Sequence, residues 1–301
     1  MDIALKILSA LATILLAVVT GLFYMGLARK ITARVQNRVG PPVTQQFLDV
    51  VKLWSKKSAI SHGTMFHLGP VFALTGSIST LLLVPLLRES RFLSPFSFNG
   101  DLILILYVMV FGSLGMALAV GESANPNGII GVSRGLTMMV GYELPFIVAV
   151  VTLIVQYDSS SLVKILQSQD GFGTWNLIRS PFASAAAFVA LLGMMGNQPF
   201  DVPIAPQEIA SGPMSEFGGK YLGLMMSSRA IFMFAKLTLY TDLFLGGASN
   251  LVELWVKTFA VFLWPLLVGL VFPRFRTEQT VRFFWGWPTA LGLVGLLLAI
   301  F

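Results

Sequence analysis

Eight apolar runs, at residues 3–27, 66–87, 102–120, 129–156, 182–195, 221–245, 258–272 and 284–301, occupy most of the chain. About 20 apolar residues let a helix cross the roughly 30 Å hydrocarbon layer of a bilayer. Inside that layer only helices and closed barrels satisfy their own backbone. The expected architecture is therefore all-α, a polytopic membrane protein of about eight transmembrane helices forming one integral membrane domain over 1–301. Charged residues make up 11% of the chain, against about 25% in soluble domains, which excludes an ordinary soluble enzyme, a disordered chain and a coiled coil. The fifth run is the shortest and leads straight into Gly196-Asn197-Gln198-Pro199. The first is too long for a signal-peptide core, and Asp2 offsets Lys6, so it is expected to be a retained anchor. No internal repeat of the kind found in many transporters is visible.

The net charge of +6 is unevenly placed. Arg29, Lys30, Arg34, Arg38, Lys52, Lys56 and Lys57 lie between runs one and two, Arg274, Arg276 and Arg282 between seven and eight, with Arg134 and Lys220 on the same side. The opposite side holds Lys6, Arg88, Arg91, Lys164 and Arg179. The positive-inside bias assigns the richer side to the cytoplasm, which puts both termini outside and the protein in the cytoplasmic membrane. Basic residues that interrupt apolar runs, with no basic tail, argue against nucleic acid as a partner. Within this side, Phe47, Val50, Val51 and Trp54 recur at helical spacing opposite Asp49, Lys52 and Lys56. That pattern predicts an amphipathic surface helix over 45–57, with a partner-docking surface as the alternative.

Chemistry is sought first among ionisable residues inside spans, where each costs about 2.5–3.5 kcal/mol at a helix centre. Glu143 sits mid-span between Tyr142 and Leu144-Pro145, where a proline-induced kink is expected. It is a candidate for proton relay or charge coupling, weighed against a structural ion pair. Arg229 and Lys236 lie two turns apart on one face of the sixth run, extended by Tyr240. Glu253 and Lys257 are expected to anchor the seventh run at the interface. Two loops on the basic side are acidic: Gly121-Glu122-Ser123-Ala124-Asn125-Pro126, and 197–219 with Asp201, Glu208 and Glu216. Clustered carboxylates can raise one another's pKa into a working range. The chain has no Cys and two His, His62 and His67, read as loop residues. With no phosphate loop or zinc-ligand set either, no catalytic or metal-ligating residue is expected in this chain.

Four stretches carry a resemblance. They are Ala28-Arg29-Lys30-Ile31-Thr32-Ala33-Arg34-Val35-Gln36-Asn37-Arg38-Val39-Gly40-Pro41-Pro42 with Asp49-Val50-Val51-Lys52-Leu53; Gly131-Val132-Ser133-Arg134 with Gly141-Tyr142-Glu143; Pro199-Phe200-Asp201-Val202-Pro203 with Gln207-Glu208-Ile209 and Ser215-Glu216-Phe217; and Phe272-Pro273-Arg274-Phe275-Arg276. In this order they resemble the subunit-1 family of respiratory complex I, which includes the membrane-anchor subunits of energy-converting nickel–iron hydrogenases and ferredoxin-linked relatives. The resemblance implies an eight-helix subunit at the junction of a cytoplasmic electron-transfer arm and an ion-pumping membrane arm. By it, Glu143, Glu208 and Glu216 belong to a polar path toward antiporter-like subunits, with Glu122 where hydrogenase-type members carry an acid. Asp201 shapes the loop at the redox module, and Arg34 and Arg38, with Arg134, contact cytoplasmic subunits. Arg229 and Lys236 are added as coupling candidates from their place inside a span.

Two departures point to the quinone-independent branch. Ile204 and Pro206 stand where quinone-reducing members carry Glu, and Arg229 stands where they tend to carry another. The resemblance thus implies a coupling subunit of a ferredoxin-linked, ion-translocating oxidoreductase, a membrane-bound hydrogenase or a sulfur-reducing relative. Iron–sulfur clusters, and in hydrogenases a NiFe centre, would reside in partner subunits: hydrogenase-like large and small subunits and an iron–sulfur protein. Electron transport there would drive proton or sodium translocation in antiporter-like neighbours. The alternatives are the quinone-chamber subunit of complex I, a stand-alone secondary transporter and a passive anchor.

Overall fold

The computed structural model describes residues 3–58, 62–88, 90, 93, 96, 98–123 and 125–301. Asp2, Arg91 and Ala124, used above, lie outside them. The described residues contain helices and no strand. In chain order these are α1 (Ile3–Val35), α2 (Gln45–Ser55), α3 (Thr64–Leu83), α4 (Asp101–Gly121), α5 (Pro126–Tyr157), α6 (Leu162–Gln167), α7 (Asn176–Arg179), α8 (Pro181–Met195), α9 (Pro206–Ile209), α10 (Gly219–Phe244), α11 (Leu251–Val271), α12 (Thr277–Trp285) and α13 (Trp287–Ile300).

Seven helical stretches are long and apolar enough to cross a membrane, the last comprising α12 and α13 together. The expected eighth span corresponds to α8, which has only 15 residues. At about 1.5 Å per residue this is roughly 22 Å, shorter than the hydrocarbon layer. Gly196, in the left-handed region at φ 59°, ends it. Two other boundaries differ from the apolar runs. α1 continues past Leu27 to Val35, because the polar residues beyond it still support helix. The final run is split at Gly286, with Pro288 opening the next helix. α5 continues through Pro145.

α10 is the most buried of the long helices and packs against α1, α2, α3, α8 and α11. α3 and α4 approach through small residues. A side chain at Gly69 would strike Ala119 and the Gly115 carbonyl, and one at Gly115 would strike the Ala73 backbone. Close backbone approach of this kind replaces the hydrophobic drive that is missing within lipid. The main core is built where α8 packs against α5, α10 and α13, around Phe146, Leu153, Ala187, Leu191 and Phe244.

Loops that the charge pattern assigned to one side meet at one end of the bundle. Asn125 donates to Ser215 (2.7 Å), His62 pairs with Glu216, and Arg274 with Asp201. At the other end Arg88 reaches Gln167, Gln169 and Asp170, and Leu102 N–H meets the Ser160 carbonyl.

The amphipathic helix is present as α2, but its inner face differs from the apolar stripe. Gln46 and Val50 are buried, while Leu48 and Val51 stand 60% and 67% exposed. Packing against α1 and α10 turns the helix so that a glutamine enters the protein and two aliphatic residues leave it. Trp54 Nε1 donates to Ser227 Oγ at 3.4 Å.

Candidate functional site

The acidic loop between α8 and α10 is fastened at both ends. Its own apolar residues, Phe200, Val202, Ile209 and Phe217, are buried beneath it. Arg274 grips Asp201 with two hydrogen bonds, Nε to Oδ1 at 2.6 Å and Nη2 to Oδ2 at 2.5 Å, with side chains only 13% and 16% exposed. This fork geometry is the strong form of an arginine–carboxylate pair. Glu208 links α5 to the segment before α12, accepting from Arg134 (2.8 Å) and Arg274 (3.4 Å). The Arg134 hydrogen bond, followed by that of Arg274, holds the Glu208 carboxyl below the usual range. Asp201 in turn pushes Arg274 up. At the other end Glu216 Oε2 lies 2.9 Å from His62 Nε2, and Phe217 stacks on Phe66 with centroids 4.9 Å apart.

Glu122 accepts the Phe66 backbone N–H at 2.9 Å and so caps the start of α3. Gly63 makes room, since a side chain there would collide with the carboxylate. Of the expected surface contacts, Arg34 and Arg38 are both exposed.

Under the loop lie two cavities that share Arg229, Phe232 and Lys236 as a partition. The first, about 190 Å³, runs between α3, α4, α5 and α10 and is roofed by Pro203, Ile204, Pro213 and Met214. The second, about 280 Å³, lies toward α1 and α2. Lys236 is buried and donates to the Met194 carbonyl at 2.6 Å, with its ammonium 3.8 Å from the Phe232 ring centre. Cations are favoured at a helix C-terminus, where the last carbonyls lack partners. Arg229 faces both cavities and makes no hydrogen bond or ion pair among the described residues.

Glu143 is half-buried one position beyond the cavity-lining Tyr142, and likewise makes no hydrogen bond or ion pair among the described residues. Tyr142 lines the first cavity together with Lys236 and Arg229, which places Glu143 next to that wall. The structure thus brings Lys236 and Arg229 together in one wall, with Glu143 beside it. It holds Glu122, Glu208 and Glu216 in separate contacts above. Tyr240 hydrogen-bonds Ser184. Lys257 pairs with Glu253 (2.7 Å) and caps the Leu245 and Gly247 carbonyls.

Three participants do not stand out from sequence as site residues, whereas a fourth, charged residue does. Arg274 counts there only as loop charge, although its place between two phenylalanines after Pro273 marks a fixed loop. His62 reads as a loop residue. Gln46 lies outside the apolar periodicity of the 45–57 helix and carries no signal there. Asp242, inside the sixth apolar run, is buried and is visible by the rule that finds Lys236. Among the described residues no group of three or more His, Asp or Glu is placed to hold a metal ion.

A multi-pass helical protein with a pinned loop over a buried lysine is the build of a membrane subunit. Comparison with known proteins gives its kind. The family model for NADH dehydrogenase matches residues 6–300, and the chain belongs to that family, the subunit-1 family of complex I. It is 29% identical to the corresponding membrane subunit of the NADH-quinone oxidoreductase of Geobacillus thermodenitrificans, over 96% of this chain and 92% of the relative. It is 28% identical to the corresponding subunit of the F(420)H(2) dehydrogenase of Methanosarcina mazei, with the same shares. Among solved structures it matches a chain of the membrane-bound sulfane sulfur reductase, an archaeal respiratory membrane complex. That match has TM-score 0.92 and 35% identity over 98% of this chain and 99% of the other. The protein is a membrane-anchor subunit of an ion-translocating oxidoreductase complex.

Proposed function

We propose that this chain couples electron transfer in a ferredoxin-linked, quinone-independent complex of the sulfur-reducing or hydrogenase type to ion movement in neighbouring membrane subunits. The observation that carries the reading is the near full-length likeness to the sulfane sulfur reductase chain. The interior agrees with it, because the partition between the two cavities is cationic at Arg229 and Lys236. In this reading the redox arm sits on the basic side and bears on Asp201, Arg134, Arg34 and Arg38. Its iron–sulfur clusters, and any NiFe centre, lie in hydrogenase-like and iron–sulfur partners, and this chain contributes no catalytic centre. Movement or charging of the loop changes the field at Arg229 and Lys236. Lys236 passes that change to Glu143, and low dielectric amplifies it. Antiporter-like subunits move the proton or sodium ion.

The test is purification of the tagged chain from native membranes in mild detergent. The expected preparation contains iron–sulfur subunits and large pumping subunits, and turns over with reduced ferredoxin without added quinone. Quinone-dependent turnover would instead assign the chain to the complex I branch. Transport by the chain alone would make it a carrier.

A further inference from the structure

The cavity of about 280 Å³ under the start of α2 shares Arg229 and Lys236 with the coupling reading, but the rest of its lining, from Gln46 to the methionines, has no part in that reading. Gln46, in the first turn of α2, lines it and is 1% exposed. Neither its amide nitrogen nor its amide oxygen has a partner among the described residues. Buried primary amides are normally satisfied on both atoms, so this one is set for something that brings both a donor and an acceptor. Arg29, Arg229 and Lys236 share the same wall, with Asn197 and no carboxylate. Arg29 is engaged by Asp49 and Lys236 by the Met194 carbonyl, which leaves the Arg229 guanidinium uncommitted.

The remaining wall is soft and apolar. Met25, Met194, Met195, Met226 and Met233 line it, with Phe262. Methionine adapts to chains of varied shape. The volume is at the lower edge for small-molecule sites, enough for a headgroup and the first part of a chain. The outward residues of α2, Leu48 and Val51, lie where an amphipathic surface helix meets lipid.

We propose that this cavity binds the acidic headgroup of a membrane amphiphile, a phosphate diester carrying an apolar chain. Arg229 takes the phosphate oxygens, and the Gln46 amide takes the neighbouring hydroxyl and ester oxygen. The methionines hold the start of the chain. Arg229 serves in both readings, but lipid binding is read without turnover and Gln46 belongs to this one alone, so failure of one is distinguishable from failure of the other.

The full chain is purified, stripped of lipid and titrated with dioleoyl phosphatidylglycerol, with dioleoyl phosphatidylcholine and inorganic phosphate as comparators, and bound lipid is counted by native mass spectrometry. One phosphatidylglycerol per chain is expected to bind about 10-fold or more tighter than phosphatidylcholine, as charge-assisted hydrogen bonds warrant. Arg229→Gln is expected to abolish that preference. Gln46→Leu is expected to weaken phosphatidylglycerol at least several-fold while raising the melting temperature of the lipid-free chain, because it removes two unsatisfied buried atoms. Equal retention of the two lipids overturns the proposal. So does displacement of the lipid by inorganic phosphate at equal concentration, which would mark a free-anion site. Should Arg229→Gln not fold, Gln46→Leu decides: unchanged lipid affinity in that variant overturns the proposal.

Discussion

The ammonium of Lys236 donates to the carbonyl of Met194, 2.6 Å away, at the last turn of α8. A buried cation is thereby held by a helix end and an aromatic face, with no carboxylate among the described residues in contact. A charge held by dipoles alone stays responsive to distant charge, because no counter-ion cancels its field. Glu143, one position beyond the cavity-lining Tyr142, is the half-buried acid on the same side of the first cavity.

Lys236→Met is expected to leave stability within about 1 kcal/mol, since relief of a buried charge offsets the orphaned carbonyl. It should lower ions moved per electron by about 10-fold or more, as the removal of a charge in low dielectric warrants. Thermal melts and ion uptake by vesicles measure the two effects. Normal uptake with an intact melt would remove Lys236 from the coupling path.

Glu143→Gln keeps shape and removes the negative charge. The complex should assemble with unchanged subunit stoichiometry and continue electron transfer while losing ion movement. Simultaneous dye-quench and redox assays on the same vesicles read both quantities. Full pumping by this variant would refute the role given to Glu143.

Asp201→Asn breaks the fork with Arg274. Partly buried charge-assisted pairs are worth about 1.5–3 kcal/mol per hydrogen bond, so the loop should loosen and the cytoplasmic arm should dissociate or slow. A double-mutant cycle with Arg274→Gln isolates the pair, and an interaction energy near zero would show that the fork does not hold the loop.

The pH profile of the loop follows from Glu208. Arg134 and Arg274 depress its folded-state pKa, so its contribution is present above the ordinary Glu range and is lost as pH falls through the lowered value. Protease protection of residues 197–218 should be flat from about pH 5 to 8 and fall only below about pH 4, the ordinary Glu pKa. Glu208→Gln should remove that acid step.

Glu122→Ala separates capping from relay. Loss of the acceptor at the start of α3 should cost about 0.5–2 kcal/mol of stability, as other lost N-caps do, with ions per electron unchanged. A drop in that ratio at full stability would place Glu122 on the path instead.

The apolar runs make the helices legible because each long span is apolar through most of its length and burial inside lipid demands nothing subtler. α8 is harder. Its length falls short of a span, and its end is set by Gly196 and by a lysine from another helix. The sense in which α2 faces inward is not legible either. Periodicity marks Val50 and Val51 together, and only contact with α1 and α10 selects Val50 and admits Gln46. Glu143, Arg229 and Lys236 stand out because charge within an apolar run is costly. The partners of Asp201, Glu208 and Glu216 do not, because Arg274, Arg134 and His62 come from segments remote in sequence. Asp242 is legible by the same rule as Lys236, yet its neighbours in sequence give no hint of what it does.

The brevity of α8 has an electrical consequence. Where a helix of 15 residues gives way to a loop with two cavities beneath it, the insulating layer is expected to be thinner than the surrounding bilayer. The transmembrane voltage, about 2.3 kcal/mol per charge per 100 mV, is then dropped over a shorter distance at the very place where Lys236 is held, so each ångström of charge displacement there does more work than it would elsewhere in the protein.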